Sequence, residues 1–230
     1  MEIKGTLYIV STPIGNLEDI TLRALRVLRE VDIIVAEDTR RTWKLLSRYN
    51  ISATLTSYFE HNERIKGPVI ISRLKEGKDV ALVSDAGTPG ISDPGYRLIR
   101  LAIEDSIKVT PIPGPSAIIS ALSISGLPTD SFAFYGFLPR KPGTRKNFLA
   151  RLKEEGKTII IYESPYRVIA MLRDVLAILG DIDGVMTREL TKLHEEVVRG
   201  KVSEIIETLK ERTIKGEVTF ILGTKNKRSK

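Results

Sequence analysis

Residues 81–95 read ALVSDAGTPGISDPG. Ala81 to Val83 run as the end of a buried strand would, and Ser84-Asp85 stop the run on a carboxylate. The eleven residues from Asp85 to Gly95 hold three glycines, two prolines and two aspartates. A core strand that opens into so much irregular backbone sets a shaped loop at its carboxyl end. In open α/β sheets that is where ligands bind. Asp93, just before Pro94, reads as the cap of the helix that follows.

Working outward, other strand-like runs end the same way. TLYIV (6–10) leads into STPIGN (11–16), KVTPI (108–112) into PIPGPSA (111–117), and TIIIY (158–162) into ESPYR (163–167). Glycines let a ligand approach the backbone closely, and prolines leave a loop little entropy to lose. One such loop is adequately explained as a tight turn. Four at the same end of their strands point to a binding rim.

Between these loops, short apolar runs alternate with helical patterns. Strands are expected at 6–10, 32–36, 53–59, 79–84 and 108–112, with helices at 41–49, 62–76, 95–105 and 115–124. Asp19 reads as the cap of a further helix through Ile20, Ala24, Val27, Leu28 and Val31. This alternation argues for an α/β fold with a mostly parallel sheet covered on both faces. A second series follows the Gly/Pro cluster SGLPTD (125–130): strands FAFYGF, 158–162, 184–189 and 217–222, and helices 144–155, 165–179 and 201–212. Two α/β domains are expected, 1–124 and 125–230.

The 230 residues include 42% hydrophobic residues and no cysteine, which excludes disulfides, thiolate metal sites and a cysteine nucleophile. Two histidines, His61 and His194, are too few for a histidine-rich metal site, and no metal is expected. There is no G-x-G-x-x-G, no P-loop and no G-x-S-x-G elbow. No apolar run is long enough for a signal-peptide core or a membrane span, so a cytoplasmic protein is expected. The net charge of +7 fits either a polyanionic partner or a lysine-rich solvated surface. Position favours the former. No acid lies between Asp130 and Glu154, where Arg140, Lys141, Arg145, Lys146, Arg151 and Lys153 interleave with Phe132, Phe134, Tyr135, Phe137 and Phe148. Phe132, Phe134 and Phe137 also suit a strand's core face. The tail adds Lys225, Lys227, Arg228 and Lys230.

STPIGNLEDIT, AEDTRRT, EHNE, VSDAGTPGISDPG, PGPSA, FYGFLPRK and YESPYR occur in this order. Together they resemble the ribosomal RNA small subunit methyltransferase I family of tetrapyrrole-methylase-like, class III S-adenosylmethionine-dependent methyltransferases. The resemblance runs from about residue 5 to 223. It implies two α/β domains with the methyl donor in the cleft between them, a homodimer, and 2′-O-methylation of a cytidine ribose in the decoding region of 16S rRNA, within the small ribosomal subunit. Rival readings are a small-molecule methylase acting on a tetrapyrrole and a non-catalytic RNA-binding protein on the same fold.

By the resemblance, Pro13, Gly15, Asp85, Ala86, Gly87, Thr88, Ser116 and Ala117 contact S-adenosylmethionine, with Tyr162 and Met186 placed at strand ends of the second domain. A ribose hydroxyl needs a general base, and His61, flanked by Glu60, is a residue type suited to that role. The family often carries a histidine two positions before His61, where this chain has Phe59, so any role for that position lapses. Arg40, Arg41, Arg64, Arg140, Lys141, Arg145, Lys146 and Arg167 are the expected RNA contacts, with salt-bridged rim residues as the competing reading for Arg40 and Arg41.

Overall fold

The computed structural model describes residues 4–223, so the basic tail residues Lys225, Lys227, Arg228 and Lys230 lie outside it. The chain divides into two compact units, Met1–Ser116 and Ala117–Lys230. The division falls before the expected boundary at 124. The helix Ala117–Ser123 packs against a strand of the second unit and so travels with it.

In the first unit, β1 (Thr6–Val10), β2 (Ile33–Ala36), β3 (Thr54–Ser57), β4 (Val80–Val83) and β5 (Lys108–Ile112) form a sheet of order β3-β2-β4-β1-β5. Every pairing is parallel, as the alternation implied. Helices α1 (Leu22–Glu30) and α2 (Thr39–Arg48) cover one face, and α3 (Glu63–Lys75) and α4 (Tyr96–Glu104) the other. The period of two sorts each strand between them. Val10, Ile34, Ala36, Ala81 and Val83 pack with Ala24, Leu28 and Leu45, whereas Leu7, Ile9, Val35, Val80 and Leu82 pack with Ile71, Leu74 and Leu98. All four residues of β4 are buried, which explains its continuous apolar run.

The cap expected at Asp19 is not made. Asn16 caps a 3-10 turn at Leu17–Asp19, and Thr21 caps α1 by accepting from the Ala24 N–H. Nor is Asp93 the N-cap residue of α4. The N-cap there is Gly95, which has no side chain to offer.

The second unit contains α5 (Ala117–Ser123), β6 (Phe132–Phe137), α6 (Pro142–Leu152), β7 (Thr158–Glu163), α7 (Val168–Leu179), β8 (Asp183–Arg188), β9 (Glu196–Lys201), α8 (Val202–Leu209) and β10 (Val218–Leu222). Its sheet runs β6-β7-β10-β8-β9. Only β6 and β7 are parallel, and the other three pairings are antiparallel, so this sheet is mixed. The cause is β9, unrecognised in the sequence. EVVRGK pairs on one side only and carries two cations and a glycine where a central strand would be apolar. Val168, Met171, Leu172 and Val175 of α7 pack with Ile159, Ile161, Met186 and Phe220 to make the core. Among the described residues, no helix is long and apolar enough to cross a membrane.

Arg145 departs from its expected role. It is 4% exposed, and its guanidinium donates to the Asp174 carboxylate from Nε at 2.8 Å and lies 2.6 Å away at Nη2. The pair ties α6 to α7, so Arg145 is structural and does not face RNA. Asp174→Ala would strand a buried charge, and a loss of about 3–5 kcal/mol is expected in denaturant unfolding. The double variant Arg145→Met with Asp174→Leu should recover most of it. An Arg145→Ala variant of unchanged stability would contradict this assignment.

Candidate functional site

At the centre of the first sheet, β1 and β4 lie side by side, yet α1 and α4, which follow them, go to opposite faces. In open α/β sheets ligands bind at such a reversal, outside the carboxyl ends of the strands. Two backbone hydrogen bonds join the loops there, from Thr12 N–H to Gly87 O at 2.9 Å and from Gly87 N–H to Thr12 O at 3.0 Å. The Thr12 hydroxyl donates to Ser84 O at 3.1 Å, and the Ser11 and Thr88 hydroxyls are 2.9 Å apart. The loop after β5 closes on the same point. A Cβ on Gly114 would stand 2.9 Å from Ser11 Cβ, too close for anything but glycine without displacement. Gly87 has φ +78°, a conformation that a side chain would strain.

The structure thus gathers Asp85, Ala86, Gly87 and Thr88 against the loop that carries Pro13 and Gly15. Pro13 is buried and Gly15 exposed. Ser116 ends the first unit and Ala117 opens α5 in the second. Tyr162 is half-buried, its ring 4.8 Å from Phe134 and 5.8 Å from Phe137. Met186 is fully buried in the second core and pairs with Phe220 on one side and Val198 on the other. Strands on both sides leave its backbone committed to the ladders.

The Asp85 carboxylate turns toward β2. It accepts from the Asp38 N–H at 3.0 Å and lies 3.3 Å from Arg41 Nη1. Asp38 caps α2 and holds the Arg40 guanidinium in a two-pronged pair at 3.0 and 2.7 Å. The Arg40 side-chain hydrogen bond keeps the Asp38 carboxyl far below the usual range. Both arginines are therefore salt-bridged rim residues, with 87% and 65% of their side chains still exposed. Glu37, beside this group, had no assigned role in the sequence. Its carboxyl is pushed up, first by burial and then by the charge of Asp85, while Arg41 pulls the other way. The signal was an acid ending the DIIVA strand, just as Asp85 ends β4.

The pattern of small residues, backbone polar groups and clustered carboxylates suits a cationic sulfonium donor. Among the described residues, no group of three or more His, Cys, Asp or Glu side chains could hold a metal ion.

Beyond β3, His61 is exposed, with its ring edge-on to Phe59 at 6.4 Å. Glu60, Glu63, Arg64, Asp93, Arg97 and Arg100 line a groove of about 730 Å³ over α3 and α4. Glu63 braces it by accepting from the Gly95 N–H at 3.3 Å and standing 3.7 Å from Arg97. In the second unit, Arg140, Lys141 and Lys146 are exposed, although Lys146 lies 3.6 Å from Asp174. Arg167 is held by Glu163 at 2.5 Å and by Leu138 O at 3.3 Å. Phe132 and Phe137 are exposed, since β6 is an edge strand, so neither is a core residue.

Comparison with known proteins agrees with this fold. The family Tetrapyrrole (Corrin/Porphyrin) Methylases matches residues 6–206. Ribosomal RNA small subunit methyltransferase I of Thermotoga maritima is 52% identical over 221 residues, covering 96% of this chain and 99% of the relative. The protein of that name in Halalkalibacterium halodurans is 52% identical over 219 residues, covering 95% of this chain and 76% of the relative. Among solved structures, diphthine synthase superposes with a TM-score of 0.71 at 16% identity, over 95% of this chain and 90% of that one. Uroporphyrin-III C-methyl transferase from Thermus thermophilus, complexed with S-adenyl homocysteine, gives 0.67 at 17% identity, over 95% and 97%. At such identities these structures speak for the fold, and the close relatives for the branch. This chain belongs to the tetrapyrrole methylase family and, within it, to the ribosomal RNA small subunit methyltransferase I group.

Proposed function

We propose that this protein transfers a methyl group from S-adenosylmethionine to small-subunit ribosomal RNA, at the ribose 2′-hydroxyl of a cytidine in the decoding region of 16S rRNA. The observation that carries the reading is the 52% identity to the Thermotoga maritima relative across 99% of that protein's length. A cytoplasmic homodimer acting on the small ribosomal subunit is part of the same reading. A tetrapyrrole substrate is less favoured, because it leaves the exposed basic residues Arg140, Lys141 and Lys146 without a purpose.

The loops carrying Pro13, Gly15 and Asp85 to Thr88, with Ser116 at the end of the unit, would hold the donor. When bound, the donor supplies an electrophilic methyl carbon on a positively charged sulfur. Asp85 positions its loop, since its carboxylate is already taken by the Asp38 N–H and Arg41. Glu37, Asp38 and Asp85 are the carboxylates of this rim, of which Asp38 and Asp85 are already paired with Arg40 and Arg41.

The ribose hydroxyl must lose its proton as the new bond forms. Two side chains compete for that role. Glu37 follows β2, the neighbour of β4, whereas His61, with Glu60, follows β3, one strand further out. Strands are about 4.8 Å apart, so Glu37 is the nearer to the Asp85 loop. Its raised carboxyl also makes it a stronger base than an ordinary glutamate.

Tritiated methyl transfer to 30S subunits and to free 16S rRNA, with the nucleotide mapped, tests the substrate. Label on a cytidine 2′-oxygen is expected. Tight donor binding in titration calorimetry with no label on either RNA would overturn the reading, and label on a tetrapyrrole instead would support the rival.

Glu37→Gln should slow single-turnover transfer by about 10²–10⁴-fold. The sign for stability is opposite. A raised carboxyl favours the fold at low pH, and that contribution is lost as pH rises through its folded value. Glu37→Gln should therefore raise the melting temperature at neutral pH and change it little in acid. His61→Ala should keep most of the rate, and the reverse pattern would return the base to His61.

A further inference from the structure

The turn after β7 holds an aromatic ring out in solvent. Tyr166 is 93% exposed, although fully burying a ring of this size is favourable. The turn that carries it is nevertheless firmly held. Pro165 opens a 3-10 turn at Pro165–Arg167, and the Arg167 N–H donates to Ser164 O at 2.9 Å. The Ser164 N–H donates to Glu163 Oε1 at 2.7 Å, and the same carboxylate, fully buried, takes the Arg167 guanidinium. The structure spends a buried ion pair on fixing the turn while leaving its ring without packing.

Arg167 also reaches across to the neighbouring strand and donates to Leu138 O at 3.3 Å. Immediately before Leu138 is Phe137, 60% exposed, opposite Tyr162 in the parallel register. After Pro139 come Arg140 and Lys141, both exposed, in a stretch with no acid from residue 131 to 153. Two exposed rings therefore stand near the carboxyl ends of adjacent strands, beside cations of one sign.

We infer that Tyr166 and Phe137 are stacking platforms for unpaired nucleobases, so that the second unit takes its RNA as an unstacked single strand and not as a duplex. The inference rests on the RNA reading above. Within a duplex the base faces are covered by their neighbours, whereas a single strand offers a π-face at each nucleotide. The cations would track the phosphates, and the rings would take the bases between them. A turn fixed in advance has little ordering left to lose when a base docks.

The test is fluorescence anisotropy on the full chain, using a labelled unpaired pyrimidine oligoribonucleotide and a duplex of the same length at one salt concentration. The unmodified protein should prefer the single strand. Tyr166→Ala should weaken single-strand binding by about 5- to 100-fold, the range for one stacked base. It should leave thermal unfolding and S-adenosylmethionine titration unchanged, and Tyr166→Phe should bind like the unmodified protein. Phe137→Ala should show a loss of the same kind. If Tyr166→Ala binds the single strand normally, the platform is wrong while the RNA reading stands. If Tyr166→Ala instead alters the sedimentation of the protein alone, the ring belongs to a self-association face. Failure of the unmodified protein to bind either RNA would remove the RNA reading itself.

Discussion

The first unit depends on a reciprocal pair of backbone hydrogen bonds between Thr12 and Gly87, at 2.9 and 3.0 Å. They form a single antiparallel bridge at the end of an otherwise parallel sheet. Without it, the loops after β1 and β4 would part toward opposite faces of the sheet and leave their polar groups to water. With it, Ser11, Thr12 and Ser84 can be buried at 2–3% exposure, because each has a hydrogen-bond partner. Gly87 makes the bridge possible through its positive φ, and Gly114 lets the loop after β5 come to rest on Ser11. The glycines in these loops thus serve close approach between loops as well as any approach of a ligand.

From that bridge the electrostatics spread outward in one direction. Asp85 reaches from the β4 loop to the start of α2, where Asp38 and Arg41 hold it. The same short segment therefore carries an acidic side toward the loops and arginines toward solvent. A cationic donor and a polyanionic acceptor require opposite potentials within a few residues of each other. Asp38 and Arg40, two positions apart in the chain, are closed into an ion pair at 2.7 Å. The excess of positive charge is spread unevenly in its uses: Arg145 is consumed by the core, Arg167 fixes a turn, and Arg140 and Lys141 face solvent.

What could be read in the sequence was what local chemistry determines. The apolar run of β4 and the Gly/Pro loop after it located the strand end and the rim, because no other local structure accommodates that composition. Features that depend on distant partners could not be read. Arg145 is buried only because Asp174 lies 29 positions on, across a helix contact that no local pattern announces. β9 needs a ladder on one side only, so its sequence can be polar and still pair. Asp19 and Thr21 are both good capping residues, and the choice between them followed from the 3-10 turn that Asn16 begins. Glu37 is ordinary by composition, and only burial beside Asp85 gives it an unusual proton affinity.

The proposed function requires the loops after β1, β4 and β5 to act as one cradle for the methyl donor. Titration calorimetry of a Gly114→Ala variant with S-adenosylmethionine is the test, because the added methyl would meet Ser11 Cβ at 2.9 Å and push the β5 loop off Ser11. The expected result is a folded protein whose donor affinity falls by about tenfold or more, equivalent to roughly 1.4 kcal/mol. A folded variant that binds the donor as tightly as the unmodified chain would contradict it.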